Sequence, residues 1–399
     1  MKDFYNASGS GFVWIGAIVL AMALTALSFV AHTTSPSILS YDAEFWERSM
    51  ADHATRPAFR VRPFTNDAVQ WLHDRHDLSY RDAWTGLQFT LMFACCWVFY
   101  LYLRALGFAP KQSLVGELMF GLSPPVFMAH FVPMYTWDDF WVYLLVPLSI
   151  ALIKWRQLPL AAIAMGLALA AREVTFLFLP VWIALVYREE RKTGDAIMWS
   201  LAPVALFLLV RWMLAGDFRG SADWQVGFNF ATLVRTKNTL FSVWLACGTF
   251  WVIGLVQAWR CLKSSKTRLD PFAWGAWLLS LGYVSSALIL ARAMETRVMF
   301  PPAILLIPLV LLYVQERTDV IADLRARLGR WKWAALLLVL AAAGIALVEA
   351  TYPTFEYRRW HDGNWLFAGL HLAGLMFFVL TEWRSRLDPN RDGESRNRG

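Results

Sequence analysis

Four short groups of charged residues stand out in an otherwise apolar chain. Asp42 and Glu44, in Ser40-Tyr41-Asp42-Ala43-Glu44-Phe45-Trp46, follow the first hydrophobic stretch. Asp138 and Asp139 fall at another expected membrane boundary, and Arg172-Glu173 and Arg292 with Glu295-Thr296-Arg297 mark two more. Carboxylates at the rim of a helix bundle are costly unless solvated, paired or used. Asp42 and Glu44 could supply a general base toward an acceptor hydroxyl, or oxygen ligands to a divalent metal. Helix capping by Ser40 or Asp42 accounts for the same residues. Asp138-Asp139 could hold Mg2+ or Mn2+, and Thr136 to Asp139 also has the spacing of a capping box. Arg172, Arg292 and Arg297 have the planar fork that grips phosphate. A salt bridge from Arg172 to Glu173 or to another span, or headgroup contact by Arg292 and Arg297, is the plainer alternative.

The elements that must position these groups are helices in a membrane. The chain has 399 residues, of which 58% are hydrophobic, and 22 are Trp. Its mean hydropathy is +0.43. Such a composition excludes an ordinary soluble enzyme and indicates a polytopic membrane protein with Trp-anchored helices. The net charge of +7 belongs mostly to short loops, where it sets topology rather than nucleic-acid affinity. The four Cys are scattered through apolar segments and form no disulfide framework.

About twelve spans are expected, at 11–31, 86–106, 113–130, 139–153, 158–171, 174–187, 195–214, 239–260, 271–291, 298–314, 333–350 and 365–382. With both termini inside, the inner segments carry the larger share of Lys and Arg, most densely after Arg260, Arg317 and Arg384. The stretch 158–187 reads either as one helix about 45 Å long or as a hairpin of arms about 21 Å each. The hairpin keeps the charge rule. Its arms fall short of a hydrocarbon core of about 30 Å, which would put Arg172-Glu173 at the floor of a cavity.

Two loops are expected on the outer side, 32–85 and 215–238. The first reads as two helices lying at the interface, Asp42 to Ala54 and Asn66 to Asp74, with Phe45, Trp46, Met50, Val69, Trp71 and Leu72 as their apolar residues. This loop holds Arg48, Arg56, Arg60, Arg62, Arg75 and Arg81, against the positive-inside bias. An anionic substrate or a lipid headgroup would account for Arg56, Arg60 and Arg62, and so would pairing with acids of the same loop. His73-Asp74-Arg75-His76-Asp77 has metal-binding composition without a complete ligand spacing, and a solvated charged face fits it better. Arg211, Glu117, Glu349 and His371 are expected to pair or snorkel. Residues 1–382 are expected to form a single transmembrane domain, and 383–399 a disordered cytoplasmic tail.

The layout resembles the GT-C superfamily of integral-membrane glycosyltransferases, in the bacterial form without a soluble domain. The resemblance spans most of the chain. It rests on Asp42 and Glu44 after the first helix, on Asp138-Asp139 after the third span, on Arg172-Glu173-Val174-Thr175 through Pro180, and on Glu295-Thr296-Arg297 before Pro301. It implies an all-α bundle in the bacterial inner membrane and a polyprenyl-phosphate sugar donor. It also implies inverting transfer on the extracytoplasmic side to a glycan, lipid or protein acceptor. On that analogy Asp42 is the general base, assisted by Glu44, and Asp138 and Asp139 assist or hold a metal. Arg172, Arg292 and Arg297 bind the carrier phosphate, and Arg60, Arg62, Glu173 and Glu295 contact substrate or acceptor. A transporter or flippase, a polymerase of lipid-linked glycans, and a non-catalytic subunit are the rival readings.

Overall fold

The computed structural model describes residues 11–34, 43–55, 63–129, 138–190, 193–215, 230–264, 269–290, 296–351 and 364–387. Asp42, Arg60, Arg62, Arg292, Glu295 and the tail from 388 lie outside them, as does 216–229 of the second loop. Among the described residues the fold is all-helical. The helices are α1 (Gly11–Thr34), α2 (Ala43–Thr55), α3 (Pro63–His76), α4 (Tyr80–Ala105), α5 (Pro110–Gly121) and α6 (Pro124–Phe127). There follow α7 (Asp139–Lys154), α8 (Leu158–Ala171), α9 (Leu179–Glu189), α10 (Thr193–Ala215), α11 (Leu233–Cys247) and α12 (Thr249–Ser264). The last four are α13 (Asp270–Leu290), α14 (Ala303–Glu316), α15 (Thr318–Thr351) and α16 (Asn364–Leu387). Short 3-10 segments at Glu173–Phe178 and Thr296–Met299 precede α9 and α14.

This is a multi-pass membrane protein. Six helices are long and apolar enough to cross a bilayer: most of α1, α4, α10, α13, α15 and α16. The pair α11–α12, bent by 64° at Gly248, makes a seventh if counted as one span. Elements stand at the other expected span positions too, but they are shorter. Helices α8 and α14 have 14 residues each, which at about 1.5 Å per residue is roughly 21 Å. Helix α8 packs between α7 and α10 with Leu160 and Ile163 exposed, whereas α14 is enclosed. Every residue of α14 from Ala303 to Leu311 is buried.

The stretch 158–187 is a hairpin. Arg172 breaks it with extended backbone (φ −151°, ψ 123°). Two ion pairs fix the direction of the arms. Arg172 reaches Asp139 at the start of α7, and Glu189 at the end of α9 meets Lys154 at the end of α7, 2.6 Å away. The chain therefore rises along α8 and returns along α9. Trp182 of α9 donates to Ser149 Oγ of α7 (2.6 Å), and Ser149 donates to the Ala161 carbonyl of α8 (2.8 Å), locking the three together.

Aromatic rings fill the centre. Phe99 stacks on Phe120 at 4.3 Å, Tyr143 meets Phe300 edge-on at 5.3 Å, and Tyr102 donates to the Ile304 carbonyl at 2.8 Å. Helices α15 and α16 pack backbone to backbone, since a Cβ at Gly344 would collide with the Gly369 carbonyl. Within α15, Gly329 (φ 71°, ψ 166°) bends the charged segment from Thr318 away from the apolar one.

Both interfacial helices form where the amphipathic pattern places them. Trp46 and Met50 of α2 and Val69 of α3 are buried against Ala83 and Trp84 at the start of α4. Trp71, counted among the apolar-face residues, is instead 60% exposed, because α3 turns Val69 rather than Trp71 toward α4. His73 stacks on Tyr80 at 4.1 Å, and its Nδ1 lies 2.6 Å from the Leu78 carbonyl.

Candidate functional site

The charged motifs meet at one end of the bundle, where α7 begins. Asp139 opens α7, Arg172 sits at the break after α8, and Arg297 lies in the 3-10 turn before α14. The Asp139 carboxylate is buried and accepts from both guanidiniums. Arg172 Nη1 donates to Oδ1 and Arg297 Nη1 to Oδ2. Each takes one oxygen, so the carboxylate bridges two helix breaks. Charged groups out of water cost several kcal/mol each unless compensated, and this mutual arrangement is the compensation.

Short elements create the site. The N-terminus of α7, the C-terminus of α8 and the turn before α14 meet there. Tyr143, one turn into α7, donates to the Arg297 carbonyl (3.2 Å) and so holds the 3-10 turn on which Arg297 rides. Trp141 Nε1 donates to Thr65 Oγ1 (3.0 Å), and Phe64 packs on the Trp141 ring at 5.9 Å. Interfacial helix α3 is thereby anchored over the start of α7. Beside Arg172, Glu173 accepts from Arg211 Nη2 of α10. Arg211 is buried, with its guanidinium 5.3 Å from the Phe207 ring centre.

Asp138, Asp139, Arg172, Glu173 and Arg297, from three separate groups in the sequence, thus come together. Glu44 lies on an exposed face of α2. Its side chain is 72% exposed, and its carboxylate is 3.6 Å from Arg48 one turn along α2. Thr65, Tyr143 and Tyr283 are additions that the motifs do not signal, and Thr175 stands in the Arg172 motif without a role assigned to it. Arg211 carried one signal, an arginine inside an apolar span that must pair.

The described residues do not assemble a site for Mg2+ or Mn2+. Both Asp139 oxygens accept from guanidiniums, so a cation there would face two positive charges and lack the six or so oxygen ligands it needs. No group of three or more His, Cys, Asp or Glu gathers around a common point among the described residues.

The opposite end carries a different cluster. Glu382 of α16 accepts from Arg260 of α12 (2.6 Å) and Tyr313 of α14 (2.9 Å), with Arg317 at 3.4 Å. Gln257 donates to Glu316 at 3.0 Å beside it. Here one carboxylate gathers donors from several helix ends. The arrangement fastens α16 to α12 and α14, and leaves the chemistry-bearing motifs at the Asp139 end. Comparison of the chain with protein-family models, with curated proteins and with solved structures finds no match to any of them.

Proposed function

We propose that the chain is an inverting glycosyltransferase of the GT-C kind, using a polyprenyl-phosphate sugar and working at the Asp139 end of the bundle. On this reading that end faces away from the cytoplasm and both termini are cytoplasmic. The membrane is then the bacterial inner membrane, and the chain crosses it about twelve times once the short helices are counted as crossings. The observation that carries the reading is the meeting of a buried Asp139 with Arg172 and Arg297 at one end of the bundle. A lipid carrier keeps its chain in the bilayer and its phosphate at the membrane boundary, where the proposal puts this end.

In the proposed reaction Asp42 takes the proton of the acceptor hydroxyl, with Glu44 assisting. The acceptor oxygen attacks the anomeric carbon from the face opposite the phosphate. The bond from C1 to the phosphate oxygen breaks, and its electron pair leaves with the phosphate. Arg172 and Arg297, with Arg292, stabilise that developing charge. Arg60, Arg62, Glu173 and Glu295 are assigned to acceptor or sugar contact.

The test is transfer from radiolabelled polyprenyl-phosphate sugars in proteoliposomes, comparing the native protein with Asp42→Asn. Loss of transfer with folding and donor binding retained supports the reading. Unchanged transfer removes Asp42 from the chemistry. A second reading, transport of a lipid-linked glycan, draws on the 64° break at Gly248, since broken helices serve transporters. Movement of labelled lipid-linked glycan between leaflets, without new glycosidic bonds, would favour it.

A further inference from the structure

We propose that Asp139 is the resident counter-anion of the phosphate site, and that a phosphate ester binds by exchanging with it on Arg172 and Arg297. The inference rests on the transferase reading for the identity of the ligand, but not for the exchange itself.

Three observations lead there. First, both oxygens of a buried carboxylate are spent on guanidiniums from two separate helix breaks. The same two donors, one per oxygen, suit the oxygens of a phosphate. Second, the local charge is already balanced. Among the described residues, Asp138, Asp139 and Glu173 stand against Arg172, Arg211 and Arg297. An anion added to this set would be repelled by Asp139, so it must take the place of Asp139 on the guanidiniums. Asp139 has somewhere to go. It lies in the first turn of α7, where unpaired backbone N–H groups favour a carboxylate.

Third, a pair of buried hydroxyls beside Arg172 has one more O–H than it has acceptors. Tyr283 of α13 adjoins Arg172 and Thr175. Both hydroxyls are fully buried, and a bond between the two uses one O–H and leaves the other proton without an acceptor of its own. A buried donor without an acceptor is costly. A carboxylate has two oxygens, and both are engaged. A phosphate monoester has three terminal oxygens and a diester two plus its bridging oxygens, which lets it serve the guanidiniums and a hydroxyl together.

The experiment is titration calorimetry on the full chain in detergent micelles, with farnesyl phosphate and inorganic phosphate as probes. Asp139→Asn removes the competing charge and leaves two guanidiniums without their anion. Farnesyl phosphate should then bind at least tenfold tighter than to the native protein, and Arg297→Gln in the same background should abolish the gain. Equal or weaker binding by folded Asp139→Asn overturns the proposal and makes Asp139 a structural tie. Tyr283→Phe in the native background decides the matter even if Asp139→Asn does not fold. A severalfold loss of farnesyl phosphate affinity is expected, and unchanged affinity overturns the site. A gain shared equally by inorganic phosphate supports exchange while removing the lipid carrier as the favoured ligand. Exchange in a protein that transfers no sugar would sink the transferase reading alone.

Discussion

The Glu173–Arg211 pair should respond asymmetrically to mutation. The Arg211 side chain is 4% exposed, whereas that of Glu173 is 36% exposed. Glu173→Gln keeps the shape but leaves a guanidinium charged, deep in the bundle and deprived of its carboxylate. Breaking a buried pair in this way costs about 3 kcal/mol, at the low end for such pairs because one partner is near solvent. Arg211→Met leaves a carboxylate that water already reaches in part, so its cost is about 1 kcal/mol, including the lost packing on Phe207. The double variant removes both charges and should cost about 1 kcal/mol, well short of the sum. The coupling is then about 3 kcal/mol. Unfolding by SDS in mixed micelles, followed by Trp fluorescence, measures all four corners of the cycle. Strict additivity, or an Arg211→Met cost equal to that of Glu173→Gln, would refute the reasoning. Because Glu173 follows Arg172 directly, Glu173→Gln should also slow transfer while Arg211→Met slows it less.

Three further outcomes are expected. Gly248 has φ +46° and lies against the His371 ring, so Gly248→Ala combines left-handed strain with a collision and should lower stability by about 3 kcal/mol or prevent folding; a thermal shift of less than a degree would contradict the packing. Glu382→Gln should cost about 2 kcal/mol by weakening three contacts at the far end, with sugar transfer per folded molecule unchanged; a selective loss of activity would mean that the far end takes part in function. Trp141→Phe removes the hydrogen bond to Thr65, should cost about 1 kcal/mol, and should make protease cleavage near α3 faster; an unchanged cleavage rate would show that α3 is held by its packing on α4 alone.

The helices were legible because apolar runs and their breakers are local. Arg172-Glu173 inside an apolar stretch signals a break, and that break is where α8 ends. The two interfacial helices were legible from their amphipathic spacing to within a residue or a turn. Partner choice was not legible. Arg297 lies 158 residues from Asp139, and no periodicity relates them. Each was a candidate for several roles until the fold set them against each other. Glu44 follows a local rule instead, since a carboxylate one turn before an arginine on an exposed helix face pairs with it. Tyr283 and Thr175 resemble ordinary polar residues of apolar helices until their neighbour is known to be Arg172.

Helix length ties these readings together. A long helix carries its terminal charges out to water, where they cost little and do little. A short helix enclosed by longer ones stops inside, and its terminal charges must find partners there. Helices α7, α8 and α14 are short and meet at the Asp139 end, so three elements deliver charges to one place. At the far end α12 and α16 close over α14 with Arg260 and Glu382. The Glu382 carboxylate gathers the donors around it and requires no further ligand. At the Asp139 end the carboxylate is divided between two arginines, and the adjoining Tyr283–Thr175 hydroxyl pair has one O–H more than its own acceptors use. Packing alone explains the first arrangement. The second leaves donors that an incoming phosphate would use, which is why the proposed chemistry is placed at that end.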